Sequence, residues 1–213
     1  MLHIEFKNEQ LVLHPLKAIF WPKKSLLFLS DLHLGKAAHF RKSGIAVPAQ
    51  VKDKNWTNLL TLIQDFQPQT MLFLGDLFHS TYNPVWEELG TLIAEFPSVS
   101  FELVPGNHDI LSDDQYAQLD LKIHPTTLEI PPFICSHHPM TVDTALYNLA
   151  GHIHPSVRLQ GPARQRIKLP CFYFGATGAI LPAFGSFTGT AIVRPKPGDQ
   201  VFVIMENEVV QVS

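Results

Sequence analysis

The sequence predicts an α/β protein, and three observations predict it. Short continuous apolar runs, SLLFLS at 25–30, TMLFLG at 70–75 and VSFELVPG at 99–106, have the length and composition of strands buried on both faces. Two segments between them repeat apolar residues at helical spacing, so strand and helix alternate as in βαβ units. Almost every apolar run also ends on a carboxylate, an imidazole or an amide, at the strand ends where α/β sheets place their sites.

Element by element, LHIEF alternates Leu2, Ile4 and Phe6 with polar neighbours, and LVLHP follows KNEQ, so the chain opens with a hairpin. Over 49–66, Val51, Trp56, Leu59, Leu60, Ile63 and Phe66 form one helical stripe. Over 84–96, Trp86, Leu89, Leu92, Ile93 and Phe96 do the same behind Pro84, which suits a first helical turn. The second half is richer in strands: PFICSHHP, LAGHIHP, CFYFGATGAI, TGTAIV and a closing hairpin QVFVIMENEVVQV. No repeat, low-complexity tract or linker interrupts the chain, so a single domain over 1–213 is expected.

Of the 213 residues, 46% are hydrophobic, enough for a sizeable core and too many for a disordered chain. The net charge of −3 gives no global field to draw in nucleic acid, although local clustering matters more than the sum. Cys135 and Cys171 have no metal-binding spacing and form no disulfide framework, so a reducing, cytoplasmic setting is expected. Leu169 to Val193 carries no charge, but its prolines and glycines suit short buried strands better than a membrane helix. A soluble protein with no membrane partner is expected.

The strand ends hold the chemistry. Asp31 and His33 follow LLFLS, Asp76 follows MLFLG, and Asn107, His108 and Asp109 follow FELVPG. His137 and His138 follow FICS, and His152 and His154 follow LAG. Any one of these could be a capped turn, since Asn and Asp favour turns. Five in succession would bury many polar groups together, which is costly unless something satisfies them. Oxygen and nitrogen donors without thiolate suit manganese, iron, zinc or similar divalent ions. Seven candidate ligands exceed the needs of one ion and match two that share a carboxylate, an arrangement that clamps an in-line displacement at phosphorus.

The ordered set Asp31-x-His33, Gly75-Asp76, Gly106-Asn107-His108-Asp109, His137 and Gly151-His152-x-His154 resembles the calcineurin-like metallophosphoesterases. The resemblance implies a four-layer sandwich of two packed mixed β-sheets flanked by α-helices. It implies that Asp31, His33 and His154 hold one metal, that Asn107, His137 and His152 hold the second, and that Asp76 bridges them. It places His108 at the phosphate and the leaving oxygen, with Asp109 as support behind it. The departure is Ser136, where many members have glycine, followed by the doubled His137-His138. His137 is the expected ligand, and His138 the alternative or a residue lining the site. Manganese is the expected native ion, with iron, zinc or cobalt acceptable to the same ligands. A hydroxide held between the two cations would be the nucleophile.

A narrower resemblance joins DLHLGKAAHFRKSGIAVP (31–48), GDLFHS (75–80) and ARQRIKLPCF (163–172) to the bacterial ligase-associated DNA damage response endonucleases, the PdeM group. It implies DNA as the substrate, and an ATP-dependent DNA ligase and a helicase as partners. Basic residues cluster accordingly. Lys36, His39, Arg41 and Lys42 follow the first motif, Lys52 and Lys54 follow them, and Arg158, Arg164, Arg166 and Lys168 form a second run. Each cluster is either a solvated loop or a contact with phosphates flanking the scissile one. His79 and His138 are further substrate-side candidates. The alternatives are a small-molecule phosphodiesterase or phosphatase, acting for example on cyclic nucleotides, and a non-catalytic scaffold on the same fold. His3, His14 and His124 are expected at surface or edge positions, and both cysteines, Trp56, Trp86 and the phenylalanines in the core.

Overall fold

The computed structural model describes residues 1–36, 50–78, 85–141, 145–161, 165–186 and 188–213. The first sheet has seven strands in sequence order: β1 (Leu2–Phe6), β2 (Glu9–His14), β3 (Ala18–Trp21), β4 (Leu26–Leu29), β5 (Thr70–Leu74), β6 (Ser100–Val104) and β7 (Leu121–Ile123). Tight turns make β1 to β4 antiparallel. From β4 to β7 the strands are parallel, because helices α1 (Gln50–Phe66) and α2 (Val85–Glu95) carry the chain back between them. A short helix α3 (Asp113–Ala117), closed by a Ser112/Gln115 capping box, precedes β7.

The second sheet runs β14–β11–β12–β13–β10–β9–β8. Its strands are β8 (Leu128–Ile130), β9 (Phe133–Cys135), β10 (Tyr147–Ala150), β11 (Pro155–Gln160), β12 (Arg166–Phe174), β13 (Gly178–Ile180) and β14 (Ala191–Ile192). The hairpin β15 (Gln200–Met205) and β16 (Glu208–Gln211) joins through β12. Both sheets are mixed, as expected.

Alternation explains the continuous apolar runs. In β5, Met71 and Phe73 face the helices, whereas Leu72 and Leu74 face the second sheet. Both faces are apolar, so no polar position interrupts the run. Between the sheets, Trp21, Phe28, Leu72 and Val104 pack on Phe133, Leu149, Phe172 and Phe202. Each such burial contributes roughly 1.5–3 kcal/mol. Helix α1 packs through Leu59, Leu62 and Ile63, and α2 through Trp86, Leu89, Leu92 and Ile93, both on the outer face of the first sheet. Among the described residues no helix follows α3, and Val157, Cys171, Val201 and Val203 form a small cluster away from the inter-sheet core.

One expectation needs correction. His14 is buried, not an edge residue: its Nδ1 accepts the Leu16 N–H at 3.1 Å and its Nε2 lies 3.7 Å from Asp65. His124 is half-buried, with Nε2 2.6 Å from the Glu102 carboxylate. His3 is exposed, and both cysteines are buried. The uncharged segment from Leu169 becomes the end of β12, then β13 and β14. No described helix is long and apolar enough to cross a membrane.

Candidate metal centre

Parallel pairing brings strand ends together. Leu29 pairs with Phe73 and Leu74 with Val104, so β4, β5 and β6 end side by side and deliver Asp31 and His33, Asp76, and Asn107. In the second sheet Cys135 pairs with Leu149, so His137 after β9 lies near His152 and His154 after β10. The two sets meet where the sheets pack: the His152 N–H donates to the Asp31 carboxylate at 2.9 Å.

The chain leaves these strands in a strained conformation. Asp31, His33, Asp76, His152 and His154 have φ of 53°, 46°, 50°, 67° and 52°. Such left-handed geometry costs about 1 kcal/mol or more for each non-glycine residue, and it clusters where function demands it. Backbone bonds hold the first two turns together, Asp31 N–H to Gly75 O at 3.0 Å and His33 N–H to Asp76 O at 2.9 Å. Glycines make the close approach sterically feasible. A Cβ on Gly75 would overlap the His137 ring, one on Gly106 the Asp76 carboxylate, and one on Gly151 the Asp31 carboxylate.

Two clusters result. In one, His154 Nε2 lies 3.1 Å from Asp31 Oδ1, with His33 beside them. In the other, His137 Nε2 lies 3.2 Å from Asn107 Oδ1 and 3.1 Å from His152 Nδ1. Asp76 stands between them, Oδ2 3.6 Å from His33 Nε2 and Oδ1 3.5 Å from His137 Nε2.

Three features fit divalent cations. His154 Nδ1 donates to the Gly189 carbonyl at 3.0 Å, which leaves Nε2 as the lone-pair atom; that atom is buried and makes no hydrogen bond. Its closeness to Asp31 is that of two ligand atoms, not of a donor and an acceptor. His137 Nδ1 likewise donates to the Leu74 carbonyl at 2.9 Å, aiming Nε2 at Asn107 and Asp76. Burial, reinforced by the nearby Lys36 ammonium, pushes His33 down to about 3, so its ring is neutral, as a ligand must be.

Of the doubled histidines, His137 is buried and belongs to the Asp76 group, whereas His138 is exposed, its ring centroid 4.1 Å from that of His152. His138 can also approach an ion held by His137 and His152. The His108 N–H donates to Asp76 Oδ1 at 2.9 Å, and its half-buried ring stands edge-on to His33, centroids 5.3 Å apart. The Asp109 carboxylate accepts from Phe78 N–H at 3.1 Å and Gly106 N–H at 2.8 Å, so it ties the loop after β5 to the turn after β6. Burial, partly offset by those two bonds, pushes its carboxyl up to about 6.

Lys36 is half-buried; burial lowers its pKa, and the Asp76 and Asp31 charges oppose the shift. Arg166 is exposed and pairs with Gln160, six residues beyond His154 along β11, roughly 20 Å away at ~3.4 Å per residue. His39, Arg41, His79 and Arg164 lie outside the described residues. Sequence reasoning missed the carbonyls of Leu74 and Gly189, which carry no side-chain signal. It also missed the segment Pro182–Ser186, where Phe184 N–H and Gly185 N–H donate to Ser30 O and Asp31 O at 2.9 and 3.1 Å. The only hint there is Pro182 and Gly185.

The family model for calcineurin-like phosphoesterases matches residues 24–166. Among solved structures, the Pseudomonas putida nuclease MPE is 27% identical with a TM-score of 0.84, covering 99% of each chain. The E. coli phosphoesterase Yfce is 16% identical with a TM-score of 0.44, over 88% of this chain and 97% of that one. No curated protein matches.

Proposed function

The chain belongs to the calcineurin-like phosphoesterase family and is a metal-dependent phosphoesterase; from that premise we propose that it is a DNA endonuclease acting in repair, with two manganese ions. The observation that carries the dimetal reading is Asp76, which turns one carboxylate oxygen toward each of two ligand clusters. Asp31, His33 and His154 would hold one ion, and Asn107, His137 and His152 the other, with Asp76 shared. When bound, such ions lower the pKa of water from ~15.7 toward ~7 and offset charge on the phosphate oxygens.

The remaining work falls to the chain. Asp76 anchors the His108 backbone at 2.9 Å, so the imidazole is fixed beside the clusters without belonging to either. From there it is positioned to protonate the departing oxygen, a contribution worth about 10²–10⁴-fold. Asp109 holds the turn that presents it. Lys36, at the edge of the first cluster, adds positive charge where phosphate oxygens would lie.

DNA as the substrate is supported by the 27% identity with a protein described as a nuclease, over nearly the whole chain. The exposed cations of the β11–β12 hairpin, where Arg158 pairs with Lys168, support it too. Partnership with a DNA ligase and a helicase rests on the sequence resemblance, and a cytoplasmic setting on two buried free cysteines.

The test is cleavage of circular single-stranded DNA with Mn²⁺, with His108→Ala alongside. Linear product from the wild type alone is expected, with the variant retaining its metals and losing about 10²–10⁴-fold on poor leaving groups. Hydrolysis of bis(p-nitrophenyl) phosphate without DNA cutting would redirect the substrate to a small diester.

A further inference from the structure

The turn between β2 and β3 holds a lysine that the metal centre does not use. Lys17 is half-buried, at φ 66°, with its N–H bonded to His14 O at 2.9 Å. The pairing of Ile19 with Phe28 runs toward Leu29, so the turn lies at the end of β4 from which Asp31 emerges. Lys54 on α1 is the neighbouring charge. The next residue, Asn55, accepts from Ser186 N and Oγ at 3.1 and 2.8 Å, in the segment that is bonded to Asp31 O.

Lys17 and Lys54 thus place two like charges, near enough to repel, on the side of the sheet from which Asp31 emerges. Burial, with Lys54 adding repulsion, pushes Lys17 down to about 8. Asp65 faces His14 at 3.7 Å. Among the described residues no carboxylate pairs with either lysine. A half-buried cation with a second cation near it is costly unless an anion completes the arrangement.

We infer that Lys17 and Lys54 form a phosphate subsite for a nucleic-acid strand, on the α1 side of the metal centre and flanking the scissile phosphate. This rests on the nuclease reading and adds a second point of contact to it. The β11–β12 cations lie beyond His154 in the second sheet, so a strand crossing the centre would meet positive charge on both sides.

The experiment is equilibrium binding of a fluorescent single-stranded oligonucleotide to the metal-loaded protein, with phosphorothioate linkages to slow cutting, across a salt series. Lys17→Met and Lys54→Met should each weaken binding about fivefold at 0.1 M salt and flatten the log–log salt slope by about 0.7. Both should leave turnover of bis(p-nitrophenyl) phosphate unchanged, since neither residue belongs to the metal clusters. Should Lys17→Met fold poorly, Lys54→Met alone carries the test, because Lys54 is exposed. Unchanged affinity and slope in a wild-type background that cuts DNA would overturn the subsite and leave the nuclease standing. Weakened binding in a protein that cuts no DNA would keep the subsite and overturn the nuclease. A wild type that binds no oligonucleotide would overturn both.

Discussion

The two sheets contribute opposite chemistry to one centre. The first supplies both carboxylates and the amide, Asp31, Asp76 and Asn107, with a single imidazole, His33. The second supplies imidazoles alone, His137, His152 and His154. Asp31 and Asp76 are buried, so the first sheet by itself would hold two like charges out of water. Packing the second sheet against it brings the histidines and the His152 N–H to those carboxylates. The apolar inter-sheet core is therefore what assembles the centre, and cations complete it.

That division can be broken at its shared member. Asp76→Asn should lower the bound metal from two ions toward one or none, read by elemental analysis. It should cut diester turnover by about 10³-fold, since a metal's charge stabilisation is worth several kcal/mol. Two retained ions and a loss below tenfold would show that Asp76 is not the bridge.

A smaller effect tests the seam itself. Gly75 has φ +76°, and a Cβ there would enter the His137 ring, whereas Gly198 has φ +92° with nothing within 4 Å. Gly198→Ala should lose only the left-handed strain, about 1–2 kcal/mol in denaturant unfolding. Gly75→Ala adds displacement of His137, for a total of about 2–5 kcal/mol. Equal losses would mean that the first sheet does not gauge the position of the second.

The same contrast governs how much was legible in the sequence. In the first half, strands buried on both faces read as apolar runs, and amphipathic stripes marked α1 and α2 to within a residue or two of their ends. All seven candidate ligands were visible because each directly follows such a run or lies within three residues of its end. The failures have physical causes. Strands β7, β8 and α3 are three to five residues long, too short to show a period. β3, AIFW, follows a tight turn that reads as the end of the hairpin. His14 is buried by Phe66 and Asp65, more than fifty residues away in sequence, a contact no local pattern announces. Lys17 gave no signal for the same reason: an isolated lysine in a turn is unremarkable until its surroundings are known.

Those surroundings yield the smallest predicted effect and a last contrast between the sheets. Lys168, in the second sheet, is exposed and donates to the Thr190 carbonyl at 2.7 Å. Lys17 is half-buried, with Lys54 adding repulsion, and its pKa falls from 10.5 to about 8. The folded chain therefore holds fewer protons than the unfolded one between pH 8 and 10.5, and stability should rise with pH across that window. Lys17→Met should remove this rise and gain stability near neutral pH. Urea unfolding at pH 7 and pH 10 measures both. A rise that survives Lys17→Met would mean that the charge is solvated after all, and that the first sheet holds no cation in waiting for a phosphate.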